Sequence, residues 1–334
     1  MNLLVTGAAG FIGSNFVHWW LRHRPTDPII GLDALTYAAV PENIAGTEII
    51  EGNIGDTEFV RRLLVDRAID AVVNFAAESH NSRAVTDPTL FFRTNVLGTQ
   101  GLLEACRLAG GVRLHHVSTC EVYGDLALDA AEAFTEESPY RPHTPYSASK
   151  AGADHAVRAY ANTYQLPVTI TNCANNYGPF QFPEKLIPLF TTLALRNEPL
   201  PLYASTANRR EWIHADDHCA AIALVLDRGR IGETYNVGTS VERSIEEIAD
   251  LILAATGRPA SLKTIVPDRP GHDRRYLLDS SKIRRELGWR PAIDFSEGLR
   301  STVAWYVAHP GWAERLRARA PIDESSWAQG SARA

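Results

Sequence analysis

A doubly wound α/β fold, built on a parallel Rossmann sheet with a smaller α/β substrate-binding lobe, is what this sequence predicts. Short apolar runs alternate with longer amphipathic stretches through the first half, which calls for parallel strands covered by helices on both faces. A glycine-rich turn, "TGAAGFIGSN", directly follows the first run. After Asn175 the rhythm breaks into the proline-punctuated "NNYGPFQFPEKLIP", as expected where a second lobe begins.

Taken in order, the runs predict strands at 3–6, 29–32, 48–51, 71–74, 114–118 and 168–172. Helical spacing predicts helices at 14–22, 57–66, 94–109 and 146–164, and a further one from 244 to 256 in the second half. These divide the chain into a Rossmann domain over 1–175, to which 211–240 returns, and a substrate lobe from 176–210 and 241–315. Periodicity fades past Pro310, leaving 316–334 as a tail.

Composition bounds the function. With 334 residues, 45% hydrophobic and 22% charged, the chain is an ordinary globular protein. A net charge of -6 offers no electrostatic reason to bind nucleic acid or an anionic membrane. No apolar run is long enough to cross a bilayer, and "NLLVTG" starts as a strand, so a cytoplasmic protein is expected. The four cysteines, Cys106, Cys120, Cys173 and Cys219, form no C-x-x-C pair; neither a disulfide framework nor a metal site is expected.

Gly7, Gly10 and Gly13 stand where a dinucleotide needs a tight turn, a close backbone approach and close helix packing. Asp33 closes the second predicted strand in "GLDALTY", placed to accept hydrogen bonds from ribose hydroxyls and to repel a 2'-phosphate. NAD is therefore the expected cofactor. In "YSASK", Tyr146 and Lys150 lie one helical turn apart, so that the ammonium can stabilise a phenolate that takes a proton from an alcohol. Arg210 and Lys185 suit a pyrophosphate as guanidinium fork and point charge.

The glycine turn together with Tyr-x-x-x-Lys resembles the extended short-chain dehydrogenase/reductases. "AAESH", "TNVLGT", "VYGD", "NNYGPFQFPEKLIP", "WIHADDH" and "RPGHDRRY" narrow the resemblance to the dTDP-glucose 4,6-dehydratases, over about residues 1–305. The resemblance implies an NAD site formed by Gly7, Gly10, Phe11, Ile12, Gly13, Asp33, Ala34, Leu35, Thr36, Asn53, Ile54, Ala76, Ala77, Thr94, Tyr146 and Lys150. It implies a nucleotide-diphosphate hexose held by Ser79, His80, Thr119, Asn175, Lys185, Leu186, Pro201, Tyr203, Arg210, Arg269, His272 and Tyr276. It implies a homodimer through helices 94–109 and 146–164.

In that family the hexose is oxidised at C4, loses its C5 proton, sheds the C6 hydroxyl as water and receives hydride at C6. Thr119 would bond the C4 oxygen and Glu121 would take the C5 proton. The family's acid for the C6 hydroxyl is an aspartate between these two, and here that position is Cys120. A thiol is a weaker acid and a poorer donor than a carboxylic acid.

Three readings stay open: a slower 4,6-dehydration with Cys120 as donor; a 5,6-dehydration returning hydride to C4 and leaving an exocyclic alkene; or a 4-epimerase with Cys120 as inert filler. Glu121 weighs against the last. A second departure is "ESHNSRA", where Asn81 and Ser82 replace an apolar residue and an aspartate of the family's usual run. A non-catalytic NAD-binding protein would have no chemical reason to keep Thr119, Glu121, Tyr146 and Lys150 together.

Overall fold

The structure is a computed structural model and describes residues 1–319. Of the tail expected at 316–334, residues 320–334 lie outside the described residues. Six strands form at the apolar runs: β1 (Leu3–Thr6), β2 (Ile29–Asp33), β3 (Ile49–Glu51), β4 (Ala71–Asn74), β5 (Arg113–Thr119) and β6 (Val168–Cys173). Six more follow: β7 (Asn175–Tyr177), β8 (Leu200–Tyr203), β9 (Arg209–His214), β10 (Thr234–Val237), β11 (Glu242–Ser244) and β12 (Lys263–Val266).

The main sheet runs β3-β2-β1-β4-β5-β6-β10 with every pair parallel. Strand order reverses between β1 and β4, so the connections leave a crevice at the carboxyl ends there, the usual ligand position in such sheets. Alternation of side chains builds two apolar layers. Leu3, Val5, Val73 and Val117 pack on Phe16, Trp20 and Ile222; Leu4, Val72, Leu114 and Val168 face Leu64, Leu102 and Val157. A separate core of Tyr177, Phe190, Trp212, Ile248, Ile252 and Val303 holds the second half, where β7, β9 and β11 form a three-stranded sheet and β8 pairs β12.

Three details depart from expectation. The helix expected at 94–109 begins as a π-helix, Phe92–Gly98, and becomes α-helical only over Thr99–Leu108. Asn95 is thereby turned inward, accepting the Glu78 N–H at 2.9 Å and donating to the Glu78 carbonyl at 3.0 Å and to Ser149 Oγ at 2.8 Å. An extra residue in a turn leaves no mark on a hydrophobic period.

In the returning segment, 211–240, β9 pairs with β7 and β11, and it is β10 that enters the main sheet beside β6. Where periodicity fades, Pro310–Arg319 is helical, with Ala313 and Leu316 buried and Trp312 Nε1 donating to Asn43 Oδ1 at 2.9 Å. One turn of apolar contact is too short a signal to read as a helix.

The cysteines are all free and buried. Beneath the crevice lie histidines that burial keeps neutral: His115 is held well below its ordinary value, His116 at about 4 and His218 at about 3. The sign follows from proton counting. Below about pH 6.5 an unfolded histidine takes a proton that the native state refuses, so stability falls as pH drops.

Glu211, raised by burial to about 7, acts oppositely: the native state holds its proton from about 7 down to the unfolded value, which offsets about one histidine. Among the described residues burial holds six histidines low, His80, His115, His116, His214, His218 and His272, against Glu211 as the one carboxyl raised as far as about 7, so unfolding free energy is expected to fall as pH drops from 6 to 4. Denaturant melts across that window check it. A flat profile would contradict it.

Candidate functional site

The first helix, Phe11–His23, starts against β1 because Gly13 has no side chain: a Cβ there would lie 2.1 Å from the Gly7 carbonyl oxygen. Gly7 itself has φ of +66°, and a Cβ on it would meet Ala76 N at 2.7 Å. The result is a bare backbone cradle at a helix N-terminus, shaped for a pyrophosphate. At the end of β2 the Asp33 carboxylate accepts the N–H groups of Ala9 (3.0 Å) and Leu35 (2.9 Å), with burial raising its pKa. Each oxygen keeps a lone pair for a ribose hydroxyl.

One cavity opens over this cradle. Its walls include Gly7, Gly10, Phe11, Ile12, Gly13, Ala77, Ser79, Thr119, Glu121, Tyr146, Lys150, Asn175 and Lys185. A second cavity adjoins it, walled by Ser79, His80, Glu121, Asn175, Lys185, Leu186, Pro201, Tyr203, Arg210, Arg269, His272 and Tyr276. Glu121, Ser79, Asn175 and Lys185 belong to both.

The remaining expected residues line neither cavity. Ala34, Thr36 and Asn53 are exposed and Leu35 half-buried beyond the ends of β2 and β3, and Ile54 is buried against Gly98. Ala76 lies behind Gly7, and Thr94 stands half-buried on the π-helix.

Cys120 opens the 3-10 turn Cys120–Tyr123, is 1% exposed, lines neither cavity, and shares an apolar cluster with Cys173, Ile213 and Leu278. Burial, then the Glu121 charge, pushes its thiol well above the ordinary value. Glu121 lines both cavities while Cys120, its neighbour in the turn, is buried in the apolar cluster.

Tyr146 and Lys150 sit on the helix Pro145–Tyr164, capped by Thr144, whose hydroxyl accepts the Ser147 N–H at 3.1 Å, with Pro145 in the first position. Burial, then Glu121, raises the Tyr146 phenol well above 10, and a hydrogen bond with Thr119 works in the other direction. Lys150 lines the same cavity as Tyr146, and its ammonium donates to the Val117 carbonyl at 2.8 Å and faces His116 Nε2 at 3.3 Å.

Asp154, one turn beyond Lys150, lies 3.4 Å from the same His116 nitrogen and accepts Ser118 Oγ and Tyr140 OH, each at 2.8 Å. These residues were missed because histidines in a strand and an aspartate inside a helix carry no motif. Only the one-turn spacing of Lys150 and Asp154 could have pointed to them.

The second cavity is built for an anion. Arg210 is buried, its guanidinium donates to the carbonyls of Arg209, Asp273 and Arg274, and it lies 4.7 Å over the Tyr276 ring. Among the described residues no carboxylate forms an ion pair with it. Arg269 Nη1 is buried without a hydrogen-bond partner. Burial and these arginines hold His272 at about 4, and burial with Lys185 holds His80 low. The Glu121 and Glu184 carboxylates share this cavity's wall, and a diphosphate would give the free Arg269 Nη1 an acceptor. Among the described residues no helix is long and apolar enough to cross a membrane.

A family model described as GDP-mannose 4,6 dehydratase matches residues 4–302. The dTDP-glucose 4,6-dehydratase of Mycobacterium tuberculosis (strain CDC 1551 / Oshkosh) is 49% identical over 322 residues, covering 95% of this chain and 96% of the relative. That of Streptomyces antibioticus is 46% identical, covering 96% of each chain. The crystal structure of dTDP-glucose 4,6-dehydratase from Streptomyces venezuelae with NAD bound superposes with a TM-score of 0.91 at 49% identity, over 95% of this chain and 100% of that one. A UDP-glucose 4-epimerase from Thermotoga maritima shares the fold at a TM-score of 0.87 and 28% identity, over 93% of this chain and 100% of that one.

Proposed function

The chain belongs to the dTDP-glucose 4,6-dehydratase family of extended short-chain dehydrogenases/reductases, and on that premise we propose that it converts dTDP-glucose to the 4-keto-6-deoxy sugar with bound NAD. The observation that carries the reading is the place of Glu121, on the wall shared by a dinucleotide cradle and an anion-lined cleft, beside Thr119 and Tyr146. Exchange of hydride at C4 alone needs no carboxylate there.

The bare turn of Gly7, Gly10 and Gly13 and the Asp33 carboxylate fit NAD, and Phe11, Ile12, Ala77, Tyr146 and Lys150 would complete its site, with Ala34, Leu35, Thr36, Asn53, Ile54, Ala76 and Thr94 around its edges. When bound, NAD supplies the acceptor and later the donor of a hydride, together with a positive ring charge that favours a phenolate nearby.

The protein's own groups do the rest. Arg210, Lys185 and Arg269 hold the diphosphate, with Ser79, His80, Asn175, Leu186, Pro201, Tyr203, His272 and Tyr276 shaping the cleft. Thr119 and Tyr146 hold the C4 hydroxyl, and Tyr146 takes its proton. The C4 ketone then acidifies the C5 proton, which Glu121 removes. With the Cys120 thiol off the walls, the protonated Glu121 is the group we assign to hand that proton to the departing C6 hydroxyl.

Dehydration of dTDP-glucose labelled with deuterium at C4 tests the reading: one water is lost and the label is found at C6. Label retained at C4 beside an alkene would establish the 5,6-reaction instead, and loss of no water would sink both. For Cys120→Ala, product formation is expected to fall less than about tenfold, short of the 10²- to 10⁴-fold that a general acid contributes. A larger fall in a folded variant would return the thiol to the chemistry.

We also propose a homodimer. Leu97, Leu108 and Tyr164, respectively 63%, 47% and 52% exposed, support pairing of their helices. Sedimentation at micromolar concentration tests it.

A further inference from the structure

We propose that Asn81 is a positioning residue for Glu121, aiming its carboxylate through a hydrogen-bond chain that starts at the N-terminus of the catalytic helix. The inference rests on the dehydratase reading above.

Asn81 lies at the start of the short helix Asn81–Thr86, on the wall of the second cavity, where this chain departs from its family's usual apolar residue. Its Nδ2 donates to Glu121 Oε2 at 3.1 Å, and its Oδ1 accepts the Thr144 hydroxyl at 3.0 Å.

The direction of every bond is forced. A carboxylate only accepts, so Asn81 must present its amide N–H to Glu121 and its oxygen to Thr144. Thr144 Oγ1 already accepts the Ser147 N–H at 3.1 Å. The neighbouring Ser147 hydroxyl accepts the Thr144 N–H at 3.0 Å, donates to the Thr144 carbonyl at 3.1 Å and lies 2.9 Å from the Thr144 hydroxyl, whose proton we assign to the Asn81 oxygen because that oxygen can only accept.

The chain therefore runs from the Ser147 N–H, one of the unsatisfied donors at the positive end of Pro145–Tyr164, through Thr144 and Asn81 to the base. Tyr146 sits in the first turn of that helix, so one cap ties the phenol and the carboxylate to a common frame. The Asn81 bond to Oε2 leaves Oε1 to reach C5.

The test uses the full chain with its bound cofactor and dTDP-glucose, comparing wild type with Asn81→Val and Thr144→Ser. Asn81→Val removes both bonds, and Thr144→Ser keeps the donor. For Asn81→Val, kcat is expected to fall about tenfold with KM within about threefold. The isotope effect of deuterium at C5 on kcat should rise as proton removal becomes slower. Thr144→Ser should match wild type in kcat, KM and the isotope effect.

A merely structural role would lower turnover without moving the isotope effect, and that outcome would overturn the proposal. So would an unchanged variant. Failure of wild type to dehydrate dTDP-glucose at all would overturn the reading of function on which the proposal stands, and the proposal with it. If Asn81→Val does not fold, Asn81→Ala, which demands no space, carries the same comparison.

Discussion

Glu121→Gln is expected to stop the reaction after oxidation at C4. Glutamine matches the size of glutamate, and its amide oxygen can still accept the Asn81 N–H that reaches Glu121 at 3.1 Å, so the cavity walls should persist while basicity is lost. Product formation should fall about 10²- to 10⁴-fold, the range for removing a general base.

Quenching the loaded variant into borodeuteride should find deuterium at C4 of the hexose, which marks a ketone formed and held. In D2O the variant should place no deuterium at C5. Product formed within tenfold of the wild-type rate would remove Glu121 from the role.

What the sequence could and could not foretell divides along one line. The strands, the glycine turn and the Tyr-x-x-x-Lys pair are local patterns, and each forms where the apolar period or the motif places it. Glu121 is legible because it follows Thr119 in one short segment, and that segment becomes the end of β5 and a 3-10 turn.

The contacts that tune these residues are not local. Asn81 meets Glu121 across 40 residues, and Lys150 meets His116 across 34. Such pairs are set by which strand ends converge at the crevice, and no spacing in the chain records that. The burial of Cys120 is not local either: adjacency to Glu121 in sequence says nothing about which side of a tight turn a thiol takes, and here it takes the core.

Tyr146→Phe is expected to stop the reaction one step earlier than Glu121→Gln, and the two variants together separate the halves of the chemistry. The phenol lies on the wall of the first cavity, packed edge-on to Phe91 with ring centroids 6.3 Å apart, and is not part of the second cavity's wall. Phenylalanine keeps that packing and removes only the hydroxyl, so substrate affinity should stay within about threefold while turnover falls about 10²- to 10⁴-fold.

No ketone should be trapped from dTDP-glucose. Offered the 4-keto-6-deoxy product in D2O, the same variant should still exchange the C5 proton, because that ketone is already in place and Glu121 is intact. Glu121→Gln should show the reverse pattern, with ketone trapped and no exchange. If Tyr146→Phe loses C5 exchange on the ketone as severely as Glu121→Gln does, then the two residues act as one unit. The coupling would then run through Thr119, which hydrogen-bonds the phenol and accepts the Glu121 N–H at 3.3 Å.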